Sequence, residues 1–163
     1  MPVCMGVDPG LARMGWGIVE MSGSHVRALS FGCVETGPEM DFPSRLLRLY
    51  EELGAHMGSA KLDFLCVERL FFGRNATTAA LVWQARGVVM LLAGQRGIPV
   101  LEPKPAEIKA AVCGNGSADK TQVQRMIQRL LALDAVPKPD DAADALAAAV
   151  AGLEYRRREL RLT

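Results

Sequence analysis

The order of strand-like and helix-like segments constrains the fold of this chain more than any other feature. Residues 3–7, 15–21 and 25–35 are apolar or alternating runs separated by turn residues, which predicts three antiparallel strands. Residues 64–67 are all apolar, as is typical of a strand buried on both faces of a sheet, and residues 98–101 predict a fifth strand. Helical segments separate the later strands. The sequence therefore predicts an α/β fold, with a mixed five-stranded sheet and helices on both faces.

Apolar residues at helical spacing predict five helices in the same chain. Their predicted ranges are 43–57, 76–95, 106–112, 117–133 and 140 to about 153. Asn75 is placed to cap the second helix and Asp140 to cap the fifth. No repeat or linker interrupts the pattern, and 163 residues are enough to bury one core. We predict a single domain over residues 1–155 and an exposed, frayed basic tail over residues 156–163.

Cysteine and histidine usage argues against a zinc site and against a disulfide framework. The four cysteines are far apart and lie among apolar neighbours, and neither histidine is placed to complete a zinc ligand set. This pattern is typical of reduced thiols in a cytoplasmic protein. The N-terminal residues lack the features of a signal peptide, and no apolar run approaches membrane-spanning length. We expect a cytoplasmic protein without a membrane partner.

Four acidic residues fall where the predicted elements could bring them together. Asp8 ends the first strand and Glu68 ends the fourth, so both lie at the carboxyl edge of the sheet if these strands are parallel neighbours. Asp141 and Asp144 are three residues apart in the last helix and share one of its faces. Simpler interpretations stay open, with Asp8 as a turn former, Glu68 as a charged strand end and Asp141 as a helix cap.

An acidic set of this kind has a specific chemical use. Carboxylates gathered without opposing charges repel one another, and such clusters normally hold hard divalent cations. Oxygen ligands alone favour Mg²⁺ or Mn²⁺ over zinc. Two such ions about 3.5 to 4 Å apart can activate a water molecule and stabilise the leaving oxygen of a phosphodiester. The four acids therefore predict metal-dependent phosphodiester hydrolysis.

Aromatic and basic residues near these acids are candidates for nucleic-acid contact. Phe71 and Phe72 follow Glu68 and could stack on an unpaired base, although paired aromatics are more often part of a core. Arg74 could contact a phosphate or could be ordinary surface charge. Lys120 follows a Gly-Asn-Gly-Ser segment at a helix start, an arrangement suited to phosphate.

Several motifs together resemble the RuvC family of Holliday junction resolvases. The match begins with Gly-Val-Asp-Pro-Gly at residues 6–10 and Gly-Trp-Gly at residues 15–17. It continues at residues 68–72, 75, 84–87, 105–109, 114–120 and 141–147. Because the segments keep their order and spacing across nearly the whole chain, the match is specific, whereas the Asp-Pro-Gly turn alone would be weak.

The resemblance implies an RNase H-like fold and a metal-dependent nuclease. In this family a homodimer nicks two strands of a four-way DNA junction symmetrically, leaves 5′-phosphates and works with the branch-migration proteins RuvA and RuvB. The resemblance assigns the metal ligands, with two Mg²⁺ expected in each site and Mn²⁺ as a possible substitute. These ligands are Asp8, Glu68, Asp141 and Asp144, and the neighbouring Asp140 is an alternative to Asp141.

The resemblance also implies which residues contact DNA. It places Phe71 against the junction, with Phe72 packing inward or assisting. It brings Lys109 and Lys120 beside the acidic site, where they meet the DNA backbone. The formal charge of the chain is only +1, but omitting the four proposed metal ligands raises it to +5, which suits a DNA substrate.

Three other functions share parts of the pattern. Residues 6–10 also resemble the first phosphate loop of actin-like ATPases and sugar kinases, although 163 residues leave no room for the second lobe that closes over a nucleotide. A DNA-binding protein without catalysis is a second alternative. A related nuclease that cuts RNA/DNA hybrids or pre-16S RNA is a third.

Overall fold

The structure is a computed structural model that describes the backbone of residues 1–70 and 76–162 and the side chains of residues 1–70 and 79–159. Its sheet consists of β1 (Val3–Asp8), β2 (Arg13–Ser22), β3 (His25–Glu35), β4 (Phe64–Val67) and β5 (Val100–Leu101). The spatial order is β3-β2-β1-β4-β5. β1 and β2 are antiparallel, as are β2 and β3, whereas β1 and β4 are parallel, as are β4 and β5. The predicted mixed five-stranded sheet is confirmed.

Five helices accompany the sheet within the described residues. They are α1 (Phe42–Met57), α2 (Ala76–Arg96), α3 (Pro105–Cys113), α4 (Lys120–Leu130) and α5 (Asp140–Leu162). α4 is shorter than predicted because Asp119 and Gln122 form a capping box at its start and Ala132 adopts a positive φ just after its end. None of these helices has the length and apolarity needed to cross a membrane.

The last helix differs most from the sequence prediction. α5 continues to Leu162, so its predicted end near residue 153 is wrong, and the helix passes through the expected start of the tail at residue 156. Arginine, glutamate and leucine are good helix formers, and Arg157 pairs with Glu154 at 2.9 Å between Nη2 and Oε2. The helix also begins with Asp140 itself, so Asp140 does not precede the helix as a cap.

Helices cover both faces of the sheet, as predicted. On one face, α1 and α2 pack on alternate strand residues that include Met5, Val7 and Leu65. On the other face, α3, α4 and α5 pack on the intervening residues, which include Cys4 and Cys66. β4 is therefore buried on both sides, which explains why its sequence is uniformly apolar.

α5 lies unusually close to the sheet because small residues meet at the contact. A Cβ atom built on Gly6 of β1 would lie 1.9 Å from the carbonyl oxygen of Ala145. A Cβ built on Gly15 of β2 would lie 1.9 Å from the carbonyl oxygen of Asp141. The Ala-rich helix thus rests on glycine backbone, and this contact carries its acidic first turns to the carboxyl edge of β1.

Candidate active site

Three of the four predicted acids share one pocket at the carboxyl edge of the sheet. Asp8 is the last residue of β1, Glu68 directly follows β4, and the two strands are parallel with Val7 opposite Val67. Asp144 reaches the same place from α5. All three line a pocket of about 330 Å³. The parallel pairing assumed in the sequence argument therefore brings these side chains together.

Asp141 lies beside this pocket and lines an adjoining one. Its backbone sits over Gly15 of β2, and its Oδ2 is 3.4 Å from Nε of Arg13. Oδ2 is buried and has no hydrogen-bond partner. The first turn of α5 thus places Asp141 over β2 beside Arg13, yet close enough for its charge to raise the pKa of Asp8. That Asp141 and Asp144 point at one spot stays a prediction.

Asp140 and Asp144 both contact the same lysine. Each carboxylate Oδ2 lies 3.2 Å from Nζ of Lys120, the first residue of α4. The Asp140 side chain is 62% exposed, whereas that of Asp144 is 37% exposed and faces the pocket. Lys120 thus supplies positive charge at the outer side of the acidic pocket.

The acidic pocket perturbs the titration of its members. Burial, followed by the charges of Asp144, Asp141 and Glu68, raises the pKa of Asp8 to about 7. Burial also raises the pKa values of Glu68 and Asp144, although nearby lysines oppose the rise. Burial alone would lower the pKa of Lys120, but its hydrogen bonds and ion pairs with Asp140 and Asp144 outweigh this and raise it. Ionisation of these carboxylates therefore costs free energy, and a bound cation would reduce that cost.

The donor set fits a hard divalent cation by its chemistry. Among the described side chains, which are those of residues 1–70 and 79–159, no group of three or more His, Cys, Asp or Glu is arranged to hold a metal ion directly. The pocket nevertheless offers carboxylate oxygens alone, the pKa values of its three acids are raised, and the neighbouring Asp141 Oδ2 is buried without a hydrogen bond. Such donors suit Mg²⁺ or Mn²⁺ better than softer metals.

These pKa shifts predict a pH-dependent stability in EDTA. Because the folded-state pKa of Asp8 is about 7 and its ordinary value is 3.8, the folded state binds the proton more tightly. The free energy of unfolding should therefore rise as the pH falls from about 8 to about 5. Asp8→Asn should reduce this rise and stabilise the metal-free protein at pH 8 by about 1 to 2 kcal/mol, whereas Glu68 and Asp144 remain in the variant.

Urea unfolding at pH 8 and pH 5.5 gives the free energy of unfolding of the wild type and of Asp8→Asn. The difference between the two proteins cancels the effects of pH that they share. Asp134→Asn, at an exposed acid outside the pocket, is the control and should behave as the wild type. Equal stabilities of Asp8→Asn and the wild type at pH 8 would contradict the prediction.

The two predicted DNA-contacting lysines line the acidic pocket. Lys109 on α3 lies near enough for its charge to lower the pKa of Glu68, and Lys120 contacts Asp144. The loop before α4 is less suited to phosphate than its composition indicated. The Asn115 side chain accepts the Ser117 N–H at 2.9 Å, and Asp119 caps α4 by accepting the Gln122 N–H at 2.9 Å.

Phe71, Phe72, Arg74 and Asn75 lie outside the described residues, so their predicted roles stay predictions. Two arginines that the sequence argument did not single out do lie near the site. Arg13 and Arg45 line the pocket that adjoins Asp141. Arg13 could have been noticed because it begins β2, the strand that pairs with β1 and therefore starts near Asp8. No sequence signal connects Arg45 to the site.

Comparison with known proteins agrees with this architecture. A family model described as Crossover junction endodeoxyribonuclease RuvC matches residues 4–152. A curated relative of that description from Chloroflexus aurantiacus is 51% identical over 146 residues, covering 90% of this chain and 89% of the relative. Another from Thermomicrobium roseum is 50% identical over 153 residues, covering 94% and 93%.

A solved structure supports the same assignment. The structure described as T. thermophilus RuvC in complex with Holliday junction substrate matches with a TM-score of 0.93 and 32% sequence identity. The match covers 98% of this chain and 97% of that one. The mixed sheet with helices on both faces is therefore the RNase H-like fold that the motifs implied, and the chain belongs to the RuvC family of crossover junction endodeoxyribonucleases.

Proposed function

We propose that this protein resolves Holliday junctions by paired, symmetric nicks, through metal-dependent hydrolysis of phosphodiester bonds that leaves 5′-phosphates. The observation that carries the proposal is the pocket in which Asp8, Glu68 and Asp144 meet at the edge of the sheet, flanked by two lysines. This pocket lies in a chain whose fold matches a RuvC bound to a Holliday junction substrate. Family membership also makes the nucleotide-binding alternative unnecessary.

The acidic residues would hold the metal. Asp8, Glu68 and Asp144, together with Asp141 from the adjoining pocket, are the proposed ligands for two Mg²⁺ ions, with Mn²⁺ as a substitute. When bound, such ions lower the pKa of a water molecule and neutralise charge on the leaving oxygen. The protein itself contributes a fixed, half-buried carboxylate set, because β1, β4 and α5 are rigid elements.

The lysines would position the substrate. Lys109 and Lys120 stand at the mouth of the acidic pocket, where their charges attract a DNA phosphate and offset its repulsion by the carboxylates. Lys120 also holds Asp144 and Asp140 through its ammonium group. Phe71 and Phe72 are proposed to contact bases at the crossover and Arg74 a backbone phosphate, since they follow Glu68 closely in sequence.

Two nicks placed symmetrically require two active sites. We propose a homodimer that uses the outer side of α2, where Leu91 is 55% exposed. We also propose that the protein works with RuvA and RuvB and that it acts in the cytoplasm. Each is an expectation from family membership.

Cleavage assays with three substrates test the function. The purified protein is mixed with a synthetic mobile four-way junction, a linear duplex or an RNA/DNA hybrid, each in Mg²⁺ or EDTA. We expect paired nicks at symmetric positions in the junction alone, and none in EDTA. Cutting of the hybrid alone would show that the protein is a nuclease for RNA/DNA hybrids and would contradict the proposed function. Tight junction binding without cutting in Mg²⁺ or Mn²⁺ would support a DNA-binding protein that lacks catalysis.

A further inference from the structure

The pocket that adjoins Asp141 contains two arginines to which the proposed reaction assigns no role. It has a volume of about 310 Å³. Its walls include Arg13 at the start of β2, Arg45 in the first turns of α1, Asp141, and the apolar Leu81 and Val82 of α2. β2 starts at the edge where antiparallel β1 ends, so this pocket opens at the same side of the sheet as Asp8.

Arg45 is held in place by a buried threonine. Thr36 is only 5% exposed, and its hydroxyl donates to the carbonyl oxygen of Leu11 at 2.6 Å. The same hydroxyl oxygen accepts from Nε of Arg45 at 2.9 Å, and the Thr36 N–H donates to the carbonyl oxygen of Ala12 at 3.0 Å. One threonine therefore fixes both the arginine and the loop that form the pocket, which is the preorganisation expected of a binding site.

The side chains that line this pocket carry a net positive charge. Arg13 and Arg45 each carry a permanent charge, whereas Asp141 is the one acidic residue among the lining residues. Arg13 is 55% exposed and meets Asp141 at 3.4 Å, beyond ordinary hydrogen-bond length. None of the ion pairs between described residues involves Arg45. If Asp141 serves a metal, as the proposed function requires, Arg13 is also left free to take another anion.

We propose that Arg13 and Arg45 bind a backbone phosphate of the DNA on the side of Asp141 that faces away from Lys120. A guanidinium group is planar and offers paired donors that match phosphate oxygens. The apolar wall of Leu81 and Val82 suits the sugar beside that phosphate, and the pocket lining offers little that could read a base edge. The proposal rests on the proposed function, because it names a second contact with the same substrate.

Junction binding in EDTA tests the proposal without requiring cleavage. Fluorescence anisotropy with a labelled junction gives Kd between 50 and 200 mM salt. Arg13→Gln and Arg45→Gln should each weaken binding by about 3- to 10-fold, equally for junctions of different sequence, and each should reduce the slope of log K against log salt by about one. Arg48→Gln is the matched control, because Arg48 lies one turn further along α1, pairs with Glu52 and does not line the pocket.

A second variant distinguishes phosphate binding by Arg45 from a purely structural role. Arg45→Lys keeps the charge but alters the contact with Thr36, so a phosphate-binding role predicts a smaller loss of affinity and an unchanged salt slope. Thermal unfolding of every variant shows that the compared proteins are folded.

The outcomes separate this proposal from the proposed function. If the wild type neither binds nor cuts the junction, the proposed function fails. If the wild type does both, but Arg13→Gln and Arg45→Gln bind with the affinity and salt slope of Arg48→Gln, the phosphate site is disproved on its own. A change in the Mg²⁺ concentration needed for cleavage, with affinity and slope unchanged, would mean that Arg13 acts only on Asp141 and would also overturn the proposal.

Discussion

Asp144→Asn is expected to slow junction cleavage by at least about a thousandfold while junction binding stays within about threefold of the wild type. Asn keeps the size of the side chain but removes the negative charge that a divalent cation needs. Asp144 lines the same pocket as Asp8 and Glu68, so its loss leaves an incomplete ligand set. Binding should persist because the change removes a charge that repels DNA. Single-turnover cleavage in Mg²⁺ and anisotropy in EDTA measure the two effects separately.

Asp140→Asn is the matched control for this substitution. Asp140 is one turn earlier on α5 and lies at the same 3.2 Å from Lys120, but its side chain is 62% exposed and does not line the pocket. We expect less than about a fivefold loss of rate. If Asp140→Asn were as damaging as Asp144→Asn, the shared ion pairs with Lys120 would explain the loss, and metal binding by Asp144 would not be supported. An Asp144→Asn protein that kept a tenth of the wild-type rate would also contradict the assignment.

Gly6→Ala is expected to destabilise the protein by about 3 kcal/mol or more. The added Cβ would lie 1.9 Å from the carbonyl oxygen of Ala145 and 2.6 Å from the amide nitrogen of Ala149. Both atoms belong to the backbone of α5, so no side chain can rotate away and the whole helix must move. Because α5 carries Asp144, the surviving folded protein should also cleave more slowly. Urea unfolding measures the stability, and cleavage at equal folded concentration measures the rate.

A glycine in open space provides the comparison for Gly6→Ala. Gly94 lies inside α2, and a Cβ atom built there would meet no atom within 4 Å apart from its chain neighbours and the adjacent backbone of its own helix. Gly94→Ala should therefore stabilise the protein by about 0.5 to 1 kcal/mol, since alanine has the higher helix propensity. Equal unfolding midpoints for Gly6→Ala and the wild type would show that α5 does not rest on β1 as closely as described.

Much of the fold could be predicted because the apolar patterns are local. The fully apolar residues 64–67 identified a strand covered on both faces, and the early alternating segments identified the antiparallel strands that precede it. Helix limits were less predictable. The capping box at Asp119 shortens α4, whereas helix-forming residues after Leu153 extend α5 beyond the apolar pattern on which the prediction relied.

From the strand and helix patterns alone, Asp8, Glu68 and Asp144 could be placed near the ends of two strands and the start of the last helix, where they could meet. Three contacts could be seen only in the folded protein. Asp141 faces Arg13 in an adjoining pocket, Lys120 contacts two aspartates, and Thr36 holds Arg45. The difference arises from the range of the interactions. Strand and helix patterns repeat over a few residues, whereas these contacts join residues of different elements and depend on how those elements pack. The position of Asp141, for example, depends on how closely glycine lets α5 approach the sheet.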